Sequence, residues 1–219
     1  MHSTILNLIN IEKNIQSNLS DLKINNQTKI IAVSKTFGVD KILPLINHGH
    51  TDFGENKVQE AVDKWTKLKK ENPNVKLHMI GKLQTNKVKY AVKLFDYIHS
   101  VDNEKLARTI SEENKKITKK TKIFIQVNIG GEDQKSGVSI AEMHKLVSYC
   151  REIKLDVIGL MCIPPFGKDS TIYFKEMTKL NKDFGFSELS MGMSSDYLKA
   201  SEYSATYVRI GSSIFGQRV

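Results

Sequence analysis

Ile30-Ile31-Ala32-Val33-Ser34-Lys35-Thr36 is the stretch from which the fold of this chain can be argued. Its four apolar residues are of the types found in buried strands, and they lead through one serine to a lysine. A lysine amine that is partly removed from water can attack carbonyl compounds. A lysine at a plain strand end instead extends into solvent. Both interpretations of Lys35 are open on this stretch alone, and the other strands decide between them.

The composition is typical of a globular protein. The chain has 219 residues, 40% of them hydrophobic, and a mean hydropathy of −0.33, so we expect a single domain over residues 1–219. No segment approaches the ~18 apolar residues of a transmembrane helix, and the first residues lack the features of a secretory signal. The two cysteines, Cys150 and Cys162, predict reduced thiols and a cytoplasmic location.

An excess of basic residues bears on the kind of ligand that the protein binds. Lys and Arg total 33 against 24 Asp and Glu, which gives a net charge of +9 at pH 7. Such a charge attracts anions, phosphorylated ligands and nucleic acid without choosing among them. The lysine runs at 115–116 and 119–122 have no interleaved aromatic residues to stack on bases. We therefore expect solvated surfaces and no specific nucleic-acid partner, with a basic RNA-binding module as the weaker alternative.

Strand-like and helix-like segments alternate along the whole chain. The apolar patterns predict eight strands, near residues 30–33, 51–54, 75–80, 97–101, 123–127, 155–161, 188–191 and 206–210. A helical pattern separates each strand from the next, and another, over residues 5–22, precedes the first strand. Eight such units without a break predict a closed (β/α)8 TIM barrel with an extra N-terminal helix. A doubly wound open sheet is the competitor, but no Gly-x-Gly-x-x-Gly turn follows the first strand.

Three of the predicted helices begin near residues that are suited to N-caps. Asp102 is expected to cap the helix after the fourth strand, and Ser139 the helix after the fifth strand. Ser194 or Ser195 is expected to cap the helix that ends near Tyr203.

Polar residues and glycines are concentrated where the predicted strands end. In a barrel of this kind, the active site lies at the carboxyl ends of the strands, whatever the chemistry. Lys35 and Arg209 would face a common space there, which favours the functional interpretation of the lysine. The other segments at this edge are Gly54-Glu55-Asn56, 80–84, 100–102, Asn128, Met161, 190–194 and 210–213.

The loops after the last two strands have the chemistry of a phosphate site. Met191-Gly192-Met193-Ser194 and Ile210-Gly211-Ser212-Ser213 combine glycines with small hydroxyl side chains. Barrels often bind phosphate between these two loops, where backbone N–H groups face the anion. Either loop alone is more simply read as an ordinary helix cap. As a pair on adjacent strands, they predict a phosphate-binding site.

A lysine amine and a phosphate site in one barrel mouth suggest pyridoxal 5′-phosphate as the cofactor. Arg209, one strand away from Lys35 in a closed barrel, could contact the pyridine nitrogen. Since a guanidinium only donates hydrogen bonds, the ring would then withdraw electrons weakly. The alternatives at this point are an ion pair between Arg209 and Glu55, and a Schiff-base aldolase without a cofactor.

Many of these segments resemble one known family. Along almost the whole chain and in order, they are similar to the pyridoxal phosphate homeostasis proteins, whose fold is the alanine racemase N-terminal-like barrel. The segments are Ala32-Val33-Ser34-Lys35-Thr36, Phe53-Gly54-Glu55-Asn56, Gln59-Glu60, 78–87, 100–102, 126–128, 135–137, 159–161, Ser190-Met191-Gly192-Met193-Ser194, 208–211 and 214–216.

The resemblance implies a role for each matching residue. Lys35 would hold pyridoxal 5′-phosphate as a Schiff base, and Arg209 would contact the pyridine nitrogen. Asn56 would lie near the ring, and Ser194, Gly211 and Ser212 would hold the phosphate. The sequence departs from the family pattern at Ser212-Ser213, Lys82 and Cys162.

The family is unusual in binding the cofactor without an established reaction. The resemblance therefore implies a monomer that buffers the cofactor in the cell or delivers it to apo-enzymes, with no catalytic residue assigned. Alanine racemases set a tyrosine from a separate C-terminal domain against the lysine, and we expect this chain to lack that second base. A weakly active amino-acid racemase is the alternative.

Overall fold

Eight parallel strands form a closed barrel in the computed structural model, which describes residues 2–217. Each strand pairs with its neighbours in sequence, and β1 also pairs with β8, with Ile31 opposite Arg209. The predicted barrel is confirmed. The strands are β1 (Lys29–Val33), β2 (Asp52–Glu55), β3 (Lys76–Met79), β4 (Tyr97–Val101), β5 (Lys122–Val127), β6 (Val157–Cys162), β7 (Glu188–Met193) and β8 (Tyr207–Ile210).

Helices follow every strand and cover the outside of the barrel. Among residues 2–217, none is long and apolar enough to cross a bilayer. The helices are α1 (Ser3–Asp21), α2 (Val39–Asn47), α3 (Val58–Glu71), α4 (Val88–Leu94), α5 (Glu104–Lys115), α6 (Met143–Glu152), α7 (Thr171–Asp183), α8 (Tyr197–Glu202) and α9 (Ser212–Phe215). The predicted N-terminal helix is therefore confirmed as α1, which packs against α2, α8 and α9.

Two of the predicted helix caps are wrong. Asn103, not Asp102, caps α5, with its Oδ1 atom accepting a hydrogen bond of 2.9 Å from the Leu106 amide. Asp196 is the residue that precedes α8, and its carboxylate accepts from the Met193 amide at 2.7 Å. The serines at 194 and 195 therefore remain in the loop after β7.

The cap predicted at Ser139 is confirmed. Its hydroxyl oxygen accepts from the Glu142 amide at 3.3 Å and contacts the Glu142 carboxylate at 2.7 Å, at the start of a short 3₁₀ turn that leads into α6. The bond from the Glu142 amide satisfies one of the N–H groups that a helix start leaves without partners.

The apolar core has two layers. The larger layer lies between the strands and the helices, where Trp65 and Phe174 are fully buried. A smaller cluster fills the barrel interior, namely Ile31, Tyr97, Phe124, Met161 and Tyr207. Because successive side chains of a strand alternate between its two faces, Ile31 places Val33, the last residue of β1, on the interior side as well.

Candidate functional site

A cavity of about 410 Å³ opens at the carboxyl ends of the strands. Its apolar walls include Val33, Ile80 and Ile163. Its polar lining contains all six residues that the sequence analysis assigned to the cofactor, namely Lys35, Asn56, Ser194, Arg209, Gly211 and Ser212. The structure therefore brings the predicted residues together, while their individual roles stay predictions.

The backbone on both sides of Lys35 is fixed by contacts with β2 and α3. Ser34 donates to the Glu55 carboxylate at 2.7 Å, and its carbonyl accepts from Lys64 at 2.9 Å. The Thr36 amide donates to the Glu60 carboxylate at 2.6 Å, and Thr36 has a φ of 69°. A β-branched residue in this left-handed region costs about 1–3 kcal/mol. The fold accepts this strain directly after the lysine, which is itself partly buried.

Glu55 is buried beneath this turn. One of its oxygens accepts from Ser34, from the Trp65 indole at 2.9 Å and from Lys64 at 3.0 Å. The alternative that paired Glu55 with Arg209 is therefore wrong. Glu55 stabilises the strand that carries the lysine, because a buried carboxylate needs such donors.

Arg209 lies on the interior side of β8 and is only 5% exposed. Its two terminal nitrogens donate to the Ser190 hydroxyl at 2.7 Å and to the Cys162 carbonyl at 2.8 Å. Burial lowers the pKa of Arg209 but leaves the group charged. Burial also raises the pKa of the Cys162 thiol to about 12, so this residue contributes through its carbonyl while its thiol stays protonated.

The two glycine-serine loops lie side by side at the cavity mouth. The Ser212 and Ser194 hydroxyl oxygens are 3.2 Å apart. Gly192 has a φ of 90°, and a Cβ atom there would lie 2.5 Å from the Ala200 side chain, so this turn requires glycine. A Cβ at Gly211 would lie 3.5 Å from Val33, an ordinary contact distance. The protein fold itself therefore does not require a glycine at 211.

Asn56 supplies a polar atom that the protein does not satisfy. Its Oδ1 atom is buried and has no hydrogen-bond partner within residues 2–217, and the residue lines the cavity. Buried polar atoms are almost always paired, and Asn56 lines the cavity, so this atom is available to a ligand there. Together with an amine, a guanidinium and two hydroxyls, it makes a site for an anionic compound that carries a carbonyl group.

Sequence reasoning missed a group of polar side chains inside the barrel below the cavity. Asp52, His78, His99 and Ser190 lie within the predicted strands and are all buried. Ser190 was noted only as part of a loop motif, and the two histidines only as members of strands. Each of them could be noticed in the sequence as a polar residue in a largely apolar strand. That pattern does not show which residue of another strand it contacts.

Comparison with known proteins identifies the family. Residues 6–219 match the family model described as the alanine racemase N-terminal domain. The pyridoxal phosphate homeostasis protein of Aquifex aeolicus is 38% identical over 203 residues, which cover 88% of this chain and 88% of that protein. The mouse protein of the same name is 36% identical over 212 residues, covering 88% of this chain and 77% of that protein.

Solved structures agree with this assignment. The structure of PipY from Synechococcus elongatus with pyridoxal phosphate bound is 32% identical, with a TM-score of 0.78 over 92% of this chain and all of that chain. An alanine racemase of Clostridium difficile shares the fold at 16% identity, with a TM-score of 0.68 over 94% of this chain and 57% of that chain. The chain therefore belongs to the pyridoxal phosphate homeostasis proteins, with the barrel of the alanine racemase N-terminal domain.

Proposed function

We propose that this protein serves pyridoxal phosphate homeostasis by holding the cofactor in the carboxyl-end cavity, with Lys35 as a covalent tether. Arg209 would contact the pyridine nitrogen, and Asn56 would lie beside the ring. Ser194, Gly211 and Ser212 would hold the phosphate. The observation that carries the proposal is the convergence of these six residues on one cavity of about 410 Å³.

The residues present fit this cofactor chemically. Pyridoxal phosphate supplies an aldehyde that condenses with a primary amine, an electron-withdrawing ring and a phosphate dianion. The cavity offers one lysine amine and two adjacent hydroxyls. The unsatisfied Asn56 oxygen and the residual N–H groups of Arg209 are further polar partners for a ring and its substituents.

Arg209 suits storage or racemisation better than transamination. A guanidinium has five N–H donors and no acceptor, so it leaves a ring nitrogen that it contacts without a proton. An unprotonated ring withdraws electrons less strongly than a protonated one. The arrangement therefore suits reversible storage better than reactions that need a strong electron sink.

A homeostasis function also needs a recipient for the cofactor. We propose delivery to apo-enzymes that use pyridoxal phosphate, from a cytoplasmic monomer. The cavity lies at the carboxyl ends of the strands, and a held cofactor would leave through that face of the barrel.

The decisive measurement is an absorption spectrum of purified protein after addition of pyridoxal phosphate. We expect a visible band that survives gel filtration, is absent in Lys35→Ala and is retained in Lys29→Ala. Lys29 is the matched control, because it lies at the other end of β1 and is exposed. Borohydride reduction followed by peptide mass spectrometry should place the label on Lys35. A label on another lysine, or a band in Lys35→Ala, would refute the assigned tether.

Racemase activity is tested separately from binding. Loaded protein is incubated with L-alanine in D₂O, and exchange at Cα is followed by NMR. We expect no exchange above that given by free pyridoxal phosphate at the same concentration. Exchange that is faster in the loaded protein and lost in Lys35→Ala would replace the carrier function with an enzymatic one.

A further inference from the structure

A continuous chain of hydrogen bonds runs through the barrel interior from Arg209 towards the amino ends of the strands. Arg209 contacts the Ser190 hydroxyl at 2.7 Å, and this hydroxyl lies 2.9 Å from Nδ1 of His99. Nε2 of His99 lies 2.9 Å from Nδ1 of His78, and Nε2 of His78 lies 3.1 Å from the Asp52 carboxylate. Five side chains from five strands are thus linked end to end.

The two ends of the chain determine the direction of every hydrogen bond in it. Arg209 can only donate, and an ionised Asp52 can only accept. With both rings neutral, His78 must donate from Nε2 to Asp52, and its bare Nδ1 must accept from Nε2–H of His99. Nδ1 of His99 must then accept from the Ser190 hydroxyl, which in turn accepts from Arg209. Both histidines are therefore Nε2–H tautomers.

The ionisation states needed for this direction follow from the surroundings of each group. Burial raises the pKa of Asp52, but hydrogen bonds from His78 and Thr51 outweigh it and hold that pKa at about 2. Burial lowers the pKa of His78 and lowers that of His99 further. At neutral pH the carboxylate is charged and the two rings are neutral.

Aromatic packing holds both rings in place. The His78 ring stacks on Tyr97 with centroids 4.3 Å apart and an interplanar angle of 2°. The His99 ring stacks on Phe124 at 4.2 Å and 19°. Both histidines are 0% exposed, and Tyr207 packs against each of them. Neither ring can turn without displacing these neighbours, so the donors and acceptors keep their directions.

We propose that Asp52, His78, His99 and Ser190 are positioning residues that orient Arg209 towards the cofactor ring and polarise it. The inference rests on the proposed function in placing the ring nitrogen at Arg209. The Ser190 hydroxyl donates into the chain and presents its lone pairs to the guanidinium, while the Cys162 carbonyl holds the second nitrogen. The remaining N–H groups of Arg209 are thereby directed to the cavity. Arg209 and Asp52 are the two charged residues of this hydrogen-bond chain, and they lie at its opposite ends.

The first test needs no cofactor. In ¹⁵N-histidine-labelled protein at pH 7.5, we expect both rings to show bare Nδ1 and protonated Nε2 shifts, assigned by comparison with His78→Gln and His99→Gln. Protonated Nδ1 on either ring, or a charged imidazolium at His78, would overturn the proposed direction. Because this measurement is made without pyridoxal phosphate, it stands even if the protein does not bind that compound.

The second test breaks the chain next to Arg209. Ser190→Ala removes the link, and Ser100→Ala is the matched control, a buried serine whose hydroxyl has no partner among residues 2–217. We expect Ser190→Ala to weaken pyridoxal phosphate binding about tenfold, the usual scale for a hydrogen bond to a charged group. It should also move the His99 Nδ1 shift and the visible maximum of the bound cofactor.

Thermal unfolding shows whether both variants fold, and the tautomer shifts report on the chain itself. Folded Ser190→Ala that matches Ser100→Ala in affinity, in visible maximum and in His99 shift would overturn the proposal. Failure of the wild-type protein to bind pyridoxal phosphate would instead count against the proposed function.

Discussion

The two ends of the barrel each hold a cavity, and the smaller one is the proposed cofactor site. The cavity at the amino ends measures about 690 Å³ and is lined mainly by α1 and the segment before β1, including Glu12, Gln16 and Lys29. The cavity at the carboxyl ends measures about 410 Å³, and six strands or the loops after them contribute to it. Convergence of polar groups from many strands, and not volume, distinguishes the functional site.

The loops at the two ends also differ in backbone conformation. At the amino end, residues with positive φ follow helices, as Gly49, Lys154 and Ser204 do. There they end the helix in the usual left-handed turn. Thr36 has the same conformation directly after a strand. No helix end accounts for the positive φ of Thr36. We therefore associate this strain with the position of Lys35, the residue before it.

The largest effect on stability is expected from Gly192→Ala at the carboxyl end. The added Cβ atom meets Ala200 and the residue keeps a positive φ, so the free energy of unfolding should fall by about 3 kcal/mol. Gly211→Ala is the comparison, with an expected change within about 0.5 kcal/mol and pyridoxal phosphate binding weakened about tenfold by crowding. Urea unfolding and a binding titration measure both quantities. Equal destabilisation by the two substitutions would contradict the distinction between a structural and a ligand-facing glycine.

The two buried histidines of the interior hydrogen-bond chain predict how the free energy of unfolding depends on pH. Burial lowers the pKa of His78 and His99 below 6.5, the ordinary value that applies in the unfolded chain. Below pH 6.5 the unfolded chain therefore binds protons that the buried rings do not. The free energy of unfolding falls there by about 1.4 kcal/mol per pH unit for each ring, and above pH 6.5 the rings cause no such loss. Urea unfolding at pH 7.5, 6.5 and 5.5 measures this slope, which His99→Asn should reduce. An unchanged slope in that variant would show that folding does not lower the pKa of His99.

A smaller effect, confined to binding, is expected from the serines at the cavity mouth. Ser194→Ala and Ser212→Ala should each weaken pyridoxal phosphate binding about tenfold, because each removes a hydroxyl placed to donate to the phosphate. Unfolding free energies should change by less than about 0.5 kcal/mol, since Ser194 lies in a loop and Ser212 is exposed at the first position of the short helix α9. Competition by inorganic phosphate against pyridoxal phosphate tests whether these serines form the phosphate-binding site. If it competes equally well against wild-type protein and both variants, the phosphate is held elsewhere.

The smallest effect is expected at the amino-end cavity. Gln16 lines the larger cavity. The Gln16→Ala substitution should change the unfolding free energy by less than about 0.5 kcal/mol. Pyridoxal phosphate affinity should stay within a factor of about two, measured in the same titration as the serine variants. A tenfold loss of affinity would show that the two cavities are coupled.

The fold was predictable from the sequence because it depends on a repeated local pattern. Alternating apolar strands and amphipathic helices define a barrel whatever the details of each loop. Lys35 and Arg209 could be predicted to lie in one cavity because both are at the carboxyl ends of strands. The cap at Asp102 was wrong because Asp102 and Asn103 are both good capping residues, and only the backbone geometry selects one. The cap at Ser194 or Ser195 was wrong for the same reason, since Asp196 is a third capping type in that run and precedes α8.

The interior hydrogen-bond chain could not be predicted in the same way. His99 and Ser190 are 91 residues apart in sequence, and their contact depends on the register of strands that are not neighbours in the barrel. A shift of one residue in either strand would turn its side chain to the opposite face. Local patterns carry no information about this pairing.

The pairing of β1 with β8 has a consequence for the order of events during synthesis. Lys35 follows the first strand to leave the ribosome, whereas Arg209 belongs to the last, and the Asn7 side chain on α1 contacts the Ile214 carbonyl at 2.9 Å. The amine is thus made early but meets its opposite wall only when the final strand closes the ring. A nascent chain that lacks β8 cannot assemble the cavity, so the proposed capture of an aldehyde there would report that the ring has closed.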